Sequence, residues 1–469
     1  MMRVSEAAFA LGVEHIGENP VFTSVGTDSR NVKPGELFIA LRGKHFDAHQ
    51  YLAAARDAGA VAAMVDAAYV AQAAAALPRG LPLIVVNNTH AGLTQLAYAW
   101  RSRYTGPLVA LTGSSGKTTV KEILAAILRE AADHTTDAVL ATRGNLNNEI
   151  GVPLTLLALR AEHRYAVIEL GMNHAGEISR LTRLARPDVA LINNAGRAHI
   201  EHLGSEEAIA RAKGEIFEGL ASNGVAIING DDAYAAVWIK LLNKNRYLRF
   251  GVDHPEHPPE ISARYELRAL DSDIHLTTPA GMVSTTLNAP GLHNVRNALA
   301  ACATAFTLGV PLAAMASGVS RYAGVKGRLQ RKAAHAGATL IDDTYNANPE
   351  SMRAAIDVLA RVPGRRLLVL GDMGELGERA AACHAETGEY ARAAGIEHLM
   401  ALGDLSANTV IAFGAGARHF SSIETLLASV ENVLASDVTV LVKGSRFMQM
   451  ERVVKAFAVE PEKKGTRTT

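Results

Sequence analysis

The stretch Thr112-Gly113-Ser114-Ser115-Gly116-Lys117-Thr118-Thr119 decides the central fold of this chain. The apolar run 108–111 before it predicts a buried strand, and the pattern 120–128 after it predicts an amphipathic helix. Glycines between a strand and a helix let backbone N–H groups point at an anion, and the helix N-terminus adds partial positive charge. This order predicts a loop that binds the phosphates of a nucleoside triphosphate.

The polar residues of this loop have expected contacts. Lys117 is expected to reach the β- and γ-phosphates, and the Thr118 hydroxyl to ligate Mg²⁺. Leu111 stands where the usual loop has its first glycine. A strand-to-helix turn that binds no nucleotide is the alternative. The residues expected at the nucleotide are Gly113, Ser114, Ser115, Gly116, Lys117, Thr118 and Thr119.

Composition excludes several classes of protein. The chain has 469 residues, 48% of them hydrophobic, and equal counts of Lys+Arg (47) and Asp+Glu (47) leave no basic excess for nucleic acid. Its cysteine count of 2 allows no disulfide framework and fits a reducing cytoplasm. Charged residues interrupt any signal-peptide core in 1–20, and the alanine-rich run 67–77 is too short to cross a bilayer. We expect a cytoplasmic protein without stable membrane insertion.

The length predicts about three domains at roughly 150 residues each. A first break falls at Gly106-Pro107, and a glycine-bearing basic hinge falls at 324–331. Short apolar runs alternate with helical patterns on both sides of that hinge, which predicts two separate α/β sheets with parallel strands. The predicted strands are 108–111, 166–170, 189–192 and 225–228 in the first sheet and 339–341, 367–370, 399–402 and 438–442 in the second.

Polar side chains follow several of these strands, where ligands of α/β sheets bind. A carboxylate such as Glu169 at the end of an apolar strand requires Mg²⁺ or a basic partner, or else caps a helix. His199 and His202 are three residues apart, but no third His or Cys completes a zinc site. The amide-rich loop that contains Asn147 and Asn148 binds a substrate or only makes turns.

Other candidates depend on helical spacing or on residue type. Lys213 looks like an exposed helical lysine. Asn294 and Asn297 lie about one helical turn apart, so both amides can face one ligand or cap a helix. The run 342–349 after a predicted strand offers Asp343, a carboxylate suited to ribose hydroxyls, and Tyr345, an aromatic face suited to a purine.

Together these motifs resemble the Mur ligases, the ATP-dependent enzymes that build the peptide of peptidoglycan. The resemblance runs through nearly the whole chain, in the family's order and spacing, at 112–119, 144–153, 167–176, 193–204, 212–217, 293–301, 327–329 and 342–348. The runs 27–30, 33–35, 343–349 and 370–377 are most similar to those of the members that add D-alanyl-D-alanine. The Asp-Asn-Pro-Arg motif typical of members that add meso-diaminopimelate is absent from the sequence.

The resemblance implies an α/β fold of three domains. Residues 1–105 would form an N-terminal α/β domain that binds the UDP-substrate. Residues 106–327 would form a central P-loop, parallel-sheet ATPase domain. Residues 328–469 would form a C-terminal Rossmann-like α/β domain that binds D-alanyl-D-alanine and closes over ATP.

The resemblance also implies roles for individual residues. The catalytic residues would be Lys117, Lys213, His199 and Arg328. The metal ligands would be Thr118, Glu169, His199 and Lys213, with Lys213 carbamylated. Because Mg²⁺ prefers oxygen ligands, the assignment of His199 as a ligand depends on the family resemblance alone. Outside the phosphate loop, the nucleotide would contact Asn294, Asn297, Arg328 and Asp343. The substrate-binding residues would be Ser29, Arg30, Asp47, His49, Asn147, Asn148, Tyr345, Asn346, Asn348, Lys443 and Ser445.

The implied activity is ATP- and Mg²⁺-dependent addition of D-alanyl-D-alanine to UDP-N-acetylmuramoyl-tripeptide, by a monomer, in peptidoglycan precursor synthesis. Another amino-acid-adding member and a folylpolyglutamate ligase are alternatives, although the folate enzyme normally begins close to its P-loop. A P-loop switch ATPase is an alternative of another class. It is disfavoured because no Asp-x-x-Gly switch motif follows the loop at the expected place.

Overall fold

The computed structural model describes residues 1–73, 77–198, 200–242, 244–252 and 258–459. Its strands form three large sheets in succession along the chain, and a two-stranded sheet pairs β1 with β3. This is the three-domain α/β architecture expected from the sequence. Within the described residues, no helix combines the length and apolar character needed to cross a membrane.

The first large sheet has 5 strands in the order β2-β7-β6-β5-β4. Strands β4 to β7 are parallel, and β2 pairs antiparallel with β7 at the edge. The elements of this part are β1 (Met2–Arg3), α1 (Val4–Leu11), β2 (His15–Ile16), β3 (Val21–Phe22), β4 (Ser24–Gly26), β5 (Glu36–Ile39), α2 (Leu52–Asp57), β6 (Ala60–Asp66), α3 (Ala67–Ala73), β7 (Leu83–Val86) and α4 (Thr89–Arg101).

The central sheet has 9 strands in the order β16-β15-β14-β13-β12-β11-β8-β10-β9. Its elements are β8 (Leu108–Thr112), α5 (Lys117–Ala131), β9 (Val139–Ala141), α6 (Gly151–Leu157), β10 (Tyr165–Glu169), α7 (Glu177–Ala185), β11 (Val189–Ile192), α8 (Ile200–Leu203), α9 (Glu206–Gly214), β12 (Val225–Asn229), α10 (Ala235–Leu241), β13 (Arg246–Gly251), β14 (Ile261–Leu267), β15 (Ser272–Thr278), β16 (Gly281–Leu287), α11 (Leu292–Thr307) and α12 (Leu312–Ser320).

The four strands predicted for this sheet are confirmed as β8, β10, β11 and β12, and they are parallel. Their side chains are almost all buried, because helices cover both faces. The sequence reasoning missed β9 and β13 to β16. In β14 and β15 buried and more exposed residues alternate, so their apolar content is too diluted to read as buried runs. Strands β14 to β16 are antiparallel, so the sheet is only partly parallel.

The third sheet has 6 strands in the order β17-β18-β22-β19-β20-β21. The four predicted strands are confirmed as β18, β19, β20 and β22. The missed β17 is an antiparallel edge strand, and β21 closes the other edge in parallel. The elements are β17 (Gln330–Ala333), β18 (Thr339–Asp343), α13 (Pro349–Ala360), β19 (Arg365–Gly371), α14 (Ala380–Ala393), β20 (His398–Leu402), α15 (Ser406–Phe413), β21 (Ala417–Phe420), α16 (Ile423–Glu431), β22 (Val438–Lys443) and α17 (Glu451–Phe457).

Candidate active site

A cavity of about 1160 Å³ lies between the central and third sheets. One wall follows the carboxyl ends of β8, β10, β11 and β12, and the facing wall follows the carboxyl ends of β18 and β22. The described residues that line it all come from residue 114 onward. The cavity therefore joins the predicted nucleotide loop to the third sheet, as a site shared by two domains requires.

The phosphate loop has the predicted strand–loop–helix form. Gly116 sits just before α5 with φ +76°, and a Cβ there would stand 2.3 Å from Asn297 Oδ1, so only glycine fits. The amide of Ser115 donates to Asn194 Oδ1 at 2.9 Å, and that of Ser114 to the Asn194 carbonyl at 3.0 Å. The sequence reasoning assigned Asn194 no role, although its place after a predicted strand was the available signal.

Lys117 is half-buried, and its side chain folds back onto this loop. Its ammonium donates to the Gly113 carbonyl at 2.6 Å. Burial lowers the pKa of Lys117, while the nearby Glu169 carboxylate opposes that shift. An arriving phosphate would replace the Gly113 contact with a full negative charge, which favours the protonated lysine.

Oxygen donors for a cation meet beside Lys117. The Thr118 hydroxyl donates to Glu169 Oε2 at 3.0 Å, and Asn147 donates to Glu169 Oε1 at 2.8 Å. The amide of Glu169 donates to the Thr142 hydroxyl at 2.9 Å, which fixes the end of β10. Hydroxyl and carboxylate oxygens are the ligands Mg²⁺ prefers, so these residues fit that ion. Within the described part of the chain, no cluster of three His, Cys, Asp or Glu side chains is arranged for a metal.

Lys213 is buried, so its interpretation as an exposed helical lysine is wrong. Only 1% of the residue is accessible, because α9 turns this face into the central core beside Ile209 and Ala212. No described residue accepts a hydrogen bond from its ammonium or pairs with it. Burial lowers the pKa of Lys213 well below its ordinary range, and the charge of Lys117 lowers it further. The uncharged form of this amine is therefore favoured relative to that of an exposed lysine.

The amides on α11 line the cavity at its central-domain wall. Asn297 donates to Asn294 Oδ1 at 3.3 Å and accepts from Asn193 at 2.9 Å, and Asn193 donates to the Ser115 carbonyl at 3.0 Å. The predicted pair thus faces one space, as helical spacing indicated. Asn193 links it to the phosphate loop, a contact that only the fold brings about.

His293 lines the same wall and is neutral at physiological pH, because burial lowers its pKa from 6.5 to about 4. In the unfolded chain the imidazole binds a proton more readily than in the folded protein. Protonation of this histidine therefore favours unfolding increasingly as the pH falls from 6.5 to 4. This pKa difference changes the free energy of unfolding by up to about 3 kcal/mol, at 1.36 kcal/mol per pKa unit.

We expect His293→Gln to remove that part of the acid sensitivity, as measured by urea unfolding at pH 7 and pH 4. Equal acid sensitivity in both proteins would contradict this.

Arg328 connects the phosphate loop to the third sheet. Its Nη2 donates to the Thr118 hydroxyl at 3.3 Å, and its guanidinium stacks on the Tyr345 ring at 4.4 Å. Its Nε is buried without a hydrogen-bond partner. Arg328 therefore lies beside the phosphate loop, and its contact with the nucleotide phosphates stays a prediction.

The third-sheet candidates lie on the opposite wall, and several of them are held there by hydrogen bonds. Lys443 donates to Asp343 Oδ2 at 2.6 Å and to the Asn346 carbonyl at 2.9 Å. Asn348 caps α13 by accepting from Ser351 N at 2.8 Å. Ser445 accepts from the Gly374 amide at 2.9 Å. The negative charge of Asp343 is thus balanced by the positive charge of the buried Lys443.

The N-terminal candidates lie away from this cavity. Arg30 is exposed and pairs with Asp28 at 2.8 Å, while Ser29 beside it is half-buried. His49 is buried, with one ring nitrogen 2.5 Å from Asp47 Oδ1 and the other accepting from the Asp66 amide at 3.0 Å. Both ring nitrogens of His49 therefore make hydrogen bonds inside the domain, so this side chain is suited to holding Asp47 in place.

Three further candidates differ in their relation to the cavity. His199 lies outside the described residues. Asn148 does not line the cavity and accepts from Gly151 N at 2.9 Å at the start of α6, whereas its neighbour Asn147 does line it. The cavity also contains an ion pair that the sequence did not predict: Arg296 Nε lies 3.1 Å from Asp231 Oδ2. Asp231 follows the end of a strand, but no recognisable motif surrounds it.

The chain is similar to known proteins over nearly its whole length. Family models match it in three consecutive segments: the Mur ligase family catalytic domain at 21–101, the Mur ligase middle domain at 111–305, and the Mur ligase glutamate ligase domain at 327–446. UDP-N-acetylmuramoyl-tripeptide--D-alanyl-D-alanine ligase of Escherichia coli K12 is 41% identical over 455 residues, 97% of each chain.

Solved structures agree with the sequence comparison. A crystal structure of MurF from Acinetobacter baumannii superposes with a TM-score of 0.86 at 35% identity, over 96% of this chain and 97% of that one. MurF ligase from Thermotoga maritima in complex with ADP superposes with a TM-score of 0.79 at 26% identity, over 93% and 97%. With its three matched segments, its shared cavity and its full-length relatives, this chain belongs to the Mur ligase family.

Proposed function

We propose that this protein uses ATP to join D-alanyl-D-alanine to UDP-N-acetylmuramoyl-tripeptide in peptidoglycan synthesis. The observation that carries the proposal is the 41% identity, over 97% of both chains, to the Escherichia coli ligase named for these two substrates. A cavity lined by a phosphate loop on one side and a second domain on the other supports it, because two substrates and ATP must meet in one enclosed space.

We propose a division of labour among the three domains. Residues 1–105 bind the UDP end through Ser29, Arg30 and the Asp47–His49 turn. Residues 106–327 bind ATP, with Asn294 and Asn297 near the adenine. Residues 328–469, described to 459, bring Asp343 near the ribose and present the dipeptide-binding group Tyr345, Asn346, Asn348, Lys443 and Ser445. Asn147, which lines the cavity, holds the tripeptide near the γ-phosphate, and Asn148 supports the loop that carries Asn147.

The chemistry follows from amide formation, which a carboxylate does not undergo in water without activation. The tripeptide carboxylate attacks the γ-phosphorus of ATP, releasing ADP and leaving an acyl phosphate. The dipeptide amine then attacks the acyl carbon, loses a proton, and the tetrahedral intermediate expels phosphate. Lys117 and Arg328 offset the negative charge where carboxylate and phosphate meet.

The cation site in this proposal consists of Thr118, Glu169, carbamylated Lys213 and His199. Mg²⁺ bound there would supply positive charge against the phosphate oxygens. Two observations support it: the Thr118 hydroxyl donates to Glu169, and the buried amine of Lys213 pairs with no described residue. We further propose that the enzyme acts in the cytoplasm as a monomer, since its UDP-linked substrate is a soluble precursor.

Substrate dependence tests the proposal directly. Purified protein with ATP and Mg²⁺ is expected to release phosphate rapidly only when UDP-N-acetylmuramoyl-tripeptide and D-alanyl-D-alanine are both present. Both are required because phosphate leaves only after the amine has attacked the acyl phosphate. The measurement is a coupled phosphate assay with product identified by mass spectrometry.

The controls in this assay separate the alternative functions. L-lysine or meso-diaminopimelate in place of the dipeptide should give little product, and folate with glutamate should give none. Rapid phosphate release with ATP alone would instead indicate a P-loop switch ATPase. Product from folate and glutamate would indicate a folylpolyglutamate ligase.

A further inference from the structure

One short loop contacts both the phosphate loop and the third sheet. This bridging loop, residues 193–197, follows β11 and lines the cavity through its first four residues. Its position at the carboxyl end of a central strand places it between the two walls. It is therefore a direct physical connection between the nucleotide-binding loop and the domain on the other side of the cavity.

The bridging loop holds the phosphate loop by several hydrogen bonds. Besides the Asn194 contacts with Ser114 and Ser115, the Gly196 amide donates to the Ser114 hydroxyl at 2.9 Å. That hydroxyl in turn donates to the Gly196 carbonyl at 3.2 Å. A change in the position of the phosphate loop would therefore move the backbone of Gly196, the residue directly before Arg197.

Arg197 extends from the same loop into the third domain. Its Nε donates to Glu350 Oε1 on α13 at 2.8 Å, and its Nη1 donates to Glu386 Oε2 on α14 at 3.0 Å. The arginine side chain is only 12% exposed, and its partners Glu350 and Glu386 are 39% and 34% exposed, so solvent weakens this pairing less than it weakens fully exposed ion pairs. One side chain thus fixes two helices of the third domain to the central domain.

Glu350 lies in the first turn of α13, two residues after the helix cap Asn348. Asn346, two residues before that cap, is held through its carbonyl by Lys443. The helix end that Arg197 holds is therefore the end that presents the proposed dipeptide-binding group. Displacing Glu350 would displace these residues relative to the phosphate loop.

We propose that Arg197 is a positioning residue that couples the phosphate loop to closure of the third domain and so protects the acyl phosphate from water. The acyl phosphate itself rests on the proposed function. In an open site, water attacks the acyl carbon, the bond from that carbon to the phosphate oxygen breaks, and tripeptide carboxylate, phosphate and a proton are released. In the closed site the dipeptide amine takes the place of water.

The test compares Arg197→Met and Arg197→Lys with Arg366→Met. Arg366 is a matched control, because it also pairs with a carboxylate, Glu397, at 3.0 Å, but lies at the amino end of β19, far from the cavity. In the Arg197→Met variant we expect the phosphate released per peptide bond to rise about threefold and the KM for D-alanyl-D-alanine to rise about tenfold, with the KM for ATP nearly unchanged. Arg197→Lys should recover part of both effects.

Small-angle X-ray scattering gives a readout that does not need product formation. A non-hydrolysable ATP analogue is expected to make the wild-type and Arg366→Met proteins more compact, and to leave the Arg197→Met protein extended. If the Arg197→Met protein releases as much phosphate per peptide bond as wild type and becomes equally compact, the proposed role of Arg197 is overturned. Wild-type protein that forms no product, yet becomes compact in an Arg197-dependent way, would overturn only the proposed function.

Discussion

Lys117→Ala is expected to lower kcat by about 10²- to 10³-fold, the usual effect of removing one donor that stabilises developing charge. In the structure its ammonium is held 2.6 Å from the Gly113 carbonyl, inside the loop and near Glu169. Alanine leaves the phosphate oxygens without that cation while keeping the helix, because alanine is the best helix former. Steady-state turnover of both substrates measures the loss.

The matched control for this variant is Lys240→Ala. Lys240 is an exposed lysine near the end of helix α10 in the same domain, outside the cavity. Circular dichroism and thermal unfolding of both variants should match wild type, so that a loss seen only in Lys117→Ala reports on chemistry. A Lys117→Ala enzyme with half of the wild-type rate would remove Lys117 from the mechanism.

Lys213→Ala is also expected to lose nearly all activity, and added acetate or propionate is expected to restore part of it. Burial disfavours the charged form of the Lys213 amine, and no described residue pairs with it; the uncharged amine is the form that attacks CO₂. In the modification that we propose, the amine nitrogen bonds to the carbon of CO₂ and loses a proton, which gives a carbamate with carboxylate oxygens. A small carboxylate can occupy the space that alanine leaves.

Lys121 provides the control for rescue. It is as buried as Lys213, but its ammonium donates to the Thr142 carbonyl at 2.6 Å and pairs with Glu122 at 2.9 Å. Its role is that of a cation, so carboxylates should not restore any activity lost in Lys121→Ala. Activity near wild type in Lys213→Ala without an additive, or equal rescue of both variants, would contradict the carbamate.

The sequence by itself was sufficient for the phosphate loop and for the long buried strands, which depend on a few adjacent residues. The glycines, Lys117 and Thr118 between an apolar run and an amphipathic helix determine a phosphate loop, because backbone geometry there depends on a few adjacent residues. Long buried runs such as 108–112 and 438–443 likewise identify central strands, since helices on both faces remove polar alternation. The edge strands β17 and β21 carry no such run and were missed.

Only the tertiary structure decided which of these residues meet. Helical spacing predicted that Lys213 lies on the surface, but the packing of α9 buries it. Burial depends on neighbours that are distant in sequence, and spacing does not reveal them. His49 proved to be used fully inside the fold by Asp47 and Asp66. The contacts of Arg197 with Glu350 and Glu386 span 153 and 189 residues, and no local pattern encodes a pairing over such distances. Residue types and strand order determined the chemistry, and long-range packing determined which side chains share the cavity.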